Sequence, residues 1–208
     1  KKNITIDAKN SGTLGRLILG ILIKTPYPIK LIGDQSLSKR DFKRVTDPLS
    51  KFGAKFELKN GNNLPLKILG IKKPSPILYE EKRGSAQCKS SVIFAAMKTK
   101  GRTIIKAKKS RNHTELLSQY LKLPVKVKKN KKFDLIEVNR VKKISPLNYK
   151  IPSDISSGSF FIVLTALSKN SKLTIRNVNV NPSRIGILEI LKIMGIKIII
   201  KNIVKKQQ

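Results

Sequence analysis

Three places in the sequence carry small polar residues that run straight into an apolar stretch of helical length. They are Asn10-Ser11-Gly12-Thr13 before residues 14–22, Gly84-Ser85-Ala86-Gln87 before residues 88–97, and Ser153-Asp154-Ile155-Ser156-Ser157 before residues 158–167. A helix start leaves backbone N–H groups without partners and carries a partial positive charge, so it attracts phosphate or carboxylate. Glycine there lets a ligand reach the backbone, and serine or threonine adds a hydroxyl donor. Taken alone, any one of these starts reads more readily as an ordinary capped helix. Arg40 and Arg111, one in each of two polar loops, add what a cap cannot, a guanidinium able to grip an oxyanion with two bonds. The plainer reading of each is a surface ion pair, which Asp34, Asp41 and Asp47 around Lys39-Arg40 would allow.

Other chemistries find little support. One cysteine and one histidine supply neither a zinc site nor an intramolecular disulfide framework. Cys88 stands among Val, Ile and Phe and reads as a small core residue. His113, within Ser110-Arg111-Asn112-His113-Thr114-Glu115, has no readable carboxylate–histidine–nucleophile set and reads as structural. The 208 residues hold 45 Lys+Arg against 12 Asp+Glu, a net charge of +33. That charge suits nucleic acid, and it equally suits small anionic substrates. Aromatics make up only 5% with no Trp, so a base-stacking platform is poorly supplied. The one dense lysine cluster, residues 122–132, reads as a solvated strand–loop–strand face. Abundant Lys, Ile and Asn fit A+T-rich codon usage, so part of the charge is compositional, and no nucleic-acid partner is expected. The longest apolar runs, residues 17–23 and 160–167, fall short of the roughly 20 residues that span a membrane. The N-terminus lacks the apolar core of a secretory signal. No membrane partner is expected, and the location reads as cytoplasmic.

The elements that must hold these groups recur along the chain. Gly12, Ser85 and Ser156 are spaced by 73 and 71 residues, and the loop arginines Arg40, Arg111 and Arg184 by 71 and 73. Each arginine lies in a strand, polar loop and amphipathic helix, over residues 29–47, 103–120 and 173–193. Phe52-Gly53-Ala54-Lys55-Phe56 recurs as Met194-Gly195-Ile196-Lys197-Ile198, 142 residues on, with a weaker copy at 121–127. Gly53 and Gly195 stand where a left-handed residue ends a helix. The spacing predicts an α/β (α+β) protein of repeated β-α-β-α-β-β units, each about 70 residues, with strands at 55–58 and 197–199. A duplication without catalytic meaning fits the spacing too, but leaves the polar helix starts unexplained.

These segments resemble one family. Gly33-Asp34-Gln35-Ser36-Leu37-Ser38-Lys39-Arg40, then Arg44-Val45 and Pro48-Leu49, resembles the GDxSLxxRPMxRVxxPL motif of 5-enolpyruvylshikimate-3-phosphate synthases. Asn10-Ser11-Gly12-Thr13 with Arg16 resembles their N-x-G-T-x-x-R segment, and Ser85-Ala86-Gln87-Cys88-Lys89-Ser90 resembles SAQVKS. Residues 110–115 resemble SRDHTE, residues 154–161 resemble GDISSAAFF without its first glycine, and residues 181–187 resemble NPTRTGI. The likeness covers nearly the whole chain in order. It departs at Asp41, where the family has proline, at Cys88 for valine, and at Ser153 for glycine.

The resemblance implies an enolpyruvyl transferase-like inside-out α/β barrel of two domains, each of three units around a pseudo-threefold axis. Residues 1–149 would be two units of the first domain and residues 150–208 the first unit of the second, an internal fragment of a longer enzyme. The family's opening G-S-K-S-x-x-x-R segment and its catalytic aspartate and glutamate are expected outside this sequence, which would hold no catalytic residue itself. Residues 205–208 would follow directly on a strand. The implied reaction transfers the enolpyruvyl group of phosphoenolpyruvate to the 5-hydroxyl of shikimate 3-phosphate, with no metal and no organic cofactor. Gly12, Thr13, Arg40 and Gln87 would bind phosphoenolpyruvate. Ser85, Ala86 (through its backbone), Gln87 and Arg111 would bind shikimate 3-phosphate. The enzyme would act as a monomer, and glyphosate would occupy the phosphoenolpyruvate pocket. Two alternatives are a UDP-N-acetylglucosamine 1-carboxyvinyltransferase of the same fold and a basic nucleic-acid-binding repeat protein. The first lacks the SLxxR and SAQ-K-S motifs.

Overall fold

The computed structural model describes residues 4–204, so residues 1–3 and 205–208, at the ends of the two expected domains, lie outside the described residues. The first repeat runs β1 (Ile4–Asp7), α1 (Gly12–Ile21), β2 (Ile29–Ile32), a single turn α2 (Gln35–Ser38), α3 (Lys43–Ser50), β3 (Lys55–Lys59) and β4 (Asn63–Leu69). The second runs β5 (Leu78–Glu81), α4 (Ala86–Met97), β6 (Arg102–Lys108), α5 (His113–Tyr120), β7 (Val125–Lys129) and β8 (Phe133–Asn139). Both sheets have the same order, β1-β2-β4-β3 and β5-β6-β8-β7. In each, the first pair is parallel and the other pairs are antiparallel. Alternation sets the faces: Ile29, Leu31, Leu66 and Ile68 point inward, while Lys30 and Lys67 point to solvent.

The third repeat departs from expectation. It contributes α6 (Ile155–Leu167) and α7 (Gly186–Ile193), but no strand forms within residues 173–193 or at 197–199. Only an isolated parallel bridge joins Ser153 to Val178. A strand exists only by pairing, and the first two repeats supply the partner from their own hairpins, β3–β4 and β7–β8. No described residue after 197 supplies one here.

Two compact units result. One comprises the chain up to Ser110 together with Leu121–Ile144, and the other Arg111–Tyr120 together with the chain from Ser145. The first unit holds a continuous apolar core from both sheets and from α1, α3 and α4, including Leu19, Phe42, Phe52, Val92, Ile93 and Ile136. In the second, Ile155, Leu188 and Leu191 are buried. Gly53 and Gly195 have φ of +103° and +87°, the left-handed turns expected after α3 and α7. At the matching place after α5 stands Lys122, with φ of +53°.

Helix α4 is buried on nearly every side and packs directly on α1. The contact is backbone-close at Gly20, where an added methyl would lie 2.1 Å from the Ser91 carbonyl oxygen. Gly20→Ala must therefore push the helices apart, and is expected to cost about 1–3 kcal/mol or more in urea unfolding. An unchanged midpoint would mean that the two helices can separate freely.

Candidate functional site

The site is assembled from helix starts. The Ser11 hydroxyl accepts from the Leu14 amide at 3.1 Å and caps α1. Asp34 caps α2, accepting from the Leu37 amide at 2.7 Å, and its second oxygen accepts from Asn10 Nδ2 at 2.6 Å. The Leu37 amide bond first, and the Asn10 bond next, hold the Asp34 carboxyl below its ordinary pKa. Asp34 thus ties the loop before α1 to the loop after β2, and Arg40 at the end of that loop arrives at α1. A methyl on Gly12 would lie 3.1 Å from Arg40 Nη1 and 3.1 Å from Arg16 Nη1. Asp41, in the family's proline position, accepts from the Lys43 amide at 2.8 Å and so starts α3.

The start of α4 is held in the same manner. The Ser85 hydroxyl accepts from the Cys88 amide at 3.3 Å, and the buried Glu81 carboxylate accepts from the Ser85 amide at 2.9 Å. Because α4 packs on α1, Gln87 in its first turn meets the first turn of α1. Arg16 Nη1 donates to Gln87 Oε1 at 2.7 Å, and Gln87 Nε2 donates to Thr13 Oγ1 at 2.8 Å. Arg16 is buried, lies 5.3 Å from the centre of the Phe42 ring, and also donates to the Asp41 carbonyl at 3.4 Å. Burial, and then the charges of Arg44 and Arg40, press its pKa downward.

Gly12, Thr13, Arg40, Ser85, Ala86 and Gln87 therefore stand together in the first unit, at the adjoining starts of α1 and α4. Arg111 belongs to the second unit, two residues before α5. Arg16 was legible only as a motif letter; its burial on the glycine face of α1 is what marks it. The Arg40 guanidinium makes no hydrogen bond or ion pair among the described residues. The third repeat shows the contrast. There Asp154 occupies the capping position held by Ser11 in the first, and Arg184 donates to its carboxylate at 2.9 Å and to the Ser156 hydroxyl. Arg184 is thus paired with a carboxylate, whereas Arg40 stands near enough to Asp34 to help lower that carboxyl's pKa but makes no ion pair. The start of α1, with amide donors, a guanidinium without an ion pair and the Gln87 amide, can take an oxyanion.

His113 opens α5 with part of its ring exposed; partial desolvation first, then Arg184, lowers its pKa, opposed by a hydrogen bond with Asn179. A folded-state pKa below the unfolded value of 6.5 makes stability complete above pH 6.5 and reduces it as pH falls through the folded value. Unfolding midpoints should accordingly fall from pH 7.5 to about pH 5.5, and His113→Gln should flatten that slope. An equal slope in both proteins would place the titration elsewhere. Among the described residues, no three of His, Cys, Asp and Glu cluster to hold a metal ion, and no helix is long and apolar enough to cross a membrane.

Paired β-α-β-α-β-β repeats with a cationic helix start place the chain among the enolpyruvyl transferase-like folds. The enolpyruvyl transferase NikO of Streptomyces tendae shares that fold at a TM-score of 0.51 and 12% identity, over 71% of this chain and 35% of its own. More narrowly, the chain belongs to the EPSP synthase (3-phosphoshikimate 1-carboxyvinyltransferase) family, whose sequence model matches residues 1–207. It is 44% identical over 200 residues to a 3-phosphoshikimate 1-carboxyvinyltransferase of Caldicellulosiruptor bescii, covering 95% of this chain and 46% of that protein. An EPSP synthase structure from Acinetobacter baumannii superimposes with a TM-score of 0.78 at 32% identity, over 94% of this chain and 43% of its own. The chain spans about half the length of the curated relatives it matches.

Proposed function

We propose that this chain forms part of a 3-phosphoshikimate 1-carboxyvinyltransferase in the shikimate route to chorismate and the aromatic amino acids. The single observation that carries the reading is Arg40, whose guanidinium stands at the start of α1 beside Gly12 with no hydrogen bond or ion pair among the described residues. Gly12, Thr13, Arg40 and Gln87 take phosphoenolpyruvate; Ser85, the Ala86 backbone, Gln87 and Arg111 take shikimate 3-phosphate. The 5-hydroxyl oxygen bonds C2 of phosphoenolpyruvate and loses its proton while C3 gains one. Phosphate then leaves C2 as a proton leaves C3, restoring the double bond. Two anions must be held together, so the work of these residues is charge stabilisation and positioning. The proton transfers fall to a lysine, an aspartate and a glutamate expected elsewhere in the family fold, and the reaction calls for no metal or organic cofactor.

In this reading residues 1–149 are two units of the first domain and residues 150–208 open the second. The enzyme is a cytoplasmic monomer with small anions as its partners, and glyphosate competes for the phosphoenolpyruvate pocket. The test is a completed chain, in which this sequence is joined to the parts of the Caldicellulosiruptor bescii relative that it does not span. The completed chain should release phosphate only when both substrates are present. The 208 residues alone should give none, since each proton-transfer group contributes about 10²–10⁴-fold. Phosphate release by the 208 residues well above buffer, or none by the completed chain, would overturn the reading.

A further inference from the structure

We propose that Arg16 is a positioning residue that fixes which face of the Gln87 amide meets the ligand, an inference that takes its ligand from the reading above. A glutamine amide can turn by 180° and exchange its oxygen for its NH₂ at little intrinsic cost, so its partners decide the orientation. The Thr13 hydroxyl, 2.8 Å from Gln87 Nε2, can donate or accept and accommodates either face. Arg16 cannot. A guanidinium only donates, so the atom 2.7 Å from Arg16 Nη1 must be the carbonyl oxygen.

Arg16 is held in place for this task. It is 5% exposed, its guanidinium lies over Phe42, and it donates to the Asp41 carbonyl. Its own carbonyl accepts from the Ser91 hydroxyl at 2.9 Å, which fixes this turn of α1 against α4. With Oε1 committed to Arg16, the NH₂ group of Gln87, with its two N–H bonds, is the end turned to Thr13 at the α1 start. One serves Thr13, and the other is left for an oxyanion. The reversed amide would turn a carbonyl oxygen toward an anionic ligand. Arg16 so converts an ambivalent side chain into a donor.

Two measurements on different chains separate this inference from the functional reading. In the 208-residue chain without ligand, ¹⁵N relaxation of the Gln87 side-chain NH₂ should report a rigid group. Arg16→Met should make it mobile, and Arg16→Lys, which keeps one donor, should restore part of the order. In the completed chain, Gln87→Met and Arg16→Met should each raise KM for phosphoenolpyruvate about tenfold or more with a smaller change in kcat. The double variant should be no worse than Gln87→Met alone, because Arg16 acts through Gln87. A Gln87 amide equally rigid in Arg16→Met, or fully additive losses in the double variant, would overturn the proposal. A completed chain without activity toward phosphoenolpyruvate would instead sink the functional reading, and the relaxation data would still decide the amide.

Discussion

Arg40→Ala in the completed chain is expected to cut kcat/KM for phosphoenolpyruvate about 10- to 100-fold, the loss of one charge-assisted bond to an anion. The size follows from the surroundings of Arg40. Its guanidinium reaches the start of α1 without a hydrogen bond or ion pair among the described residues, so removing it leaves the fold's own bonds in place. Most of the effect should therefore appear in KM for phosphoenolpyruvate, with shikimate 3-phosphate little changed. Unfolding stability should move by only a few tenths of a kcal/mol, as for other exposed side chains. Unaltered phosphoenolpyruvate kinetics would reduce Arg40 to a surface cation and remove the basis of the site.

Gly12→Ala is expected to separate two ligands of one pocket. The added methyl would stand 3.1 Å from both Arg16 Nη1 and Arg40 Nη1, closer than a side-chain carbon ordinarily sits. Arg16 is pinned by Gln87 and Phe42, so Arg40 must yield, and under the proposed function the methyl projects toward the ligand's anionic group. Glyphosate, longer than phosphoenolpyruvate, has less room to retreat. Overpacking of roughly 1–3 kcal/mol then translates into a rise in the glyphosate inhibition constant of about tenfold or more, against a smaller rise in KM for phosphoenolpyruvate. If the glycine serves only to start the helix, both constants shift alike or stay put. Measuring the two side by side decides, because their ratio is insensitive to a general loss of folded enzyme.

Much of this architecture is legible in the chain because a repeat writes the same physics several times. Ser11 and Ser85 were readable as starts of apolar helices, and both cap them. Gly53 and Gly195 were readable as left-handed helix ends, whereas Lys122 at the same place was not, since lysine gives no sign of a positive φ. Residues 197–199 carry a strand's alternation, yet form no strand, because alternation specifies a face and pairing requires a neighbour. Within the candidate site, motifs name Gly12, Thr13, Arg40, Ser85 and Gln87. The bond between Arg16 and Gln87 could not, because it depends on two helices meeting across 71 residues of sequence. That distance is the repeat period itself, so the two helix starts meet as near equivalents in successive units. The difference between Arg40 and Arg184 was also hidden. Both are loop arginines in register, but Arg184 meets the Asp154 carboxylate at the cap of α6, where α1 has Ser11.

The central claim, that the start of α1 receives the phosphate of phosphoenolpyruvate, is tested most directly by titrating that ligand into ¹⁵N-labelled completed chain saturated with shikimate 3-phosphate, with an inactivating substitution in the part contributed by the relative. The amide signals of Gly12 and Thr13 are expected to shift with saturation in the native sequence and to stay still over the same range in Arg40→Ala. Saturable binding that leaves both amides unmoved in the native sequence would contradict it.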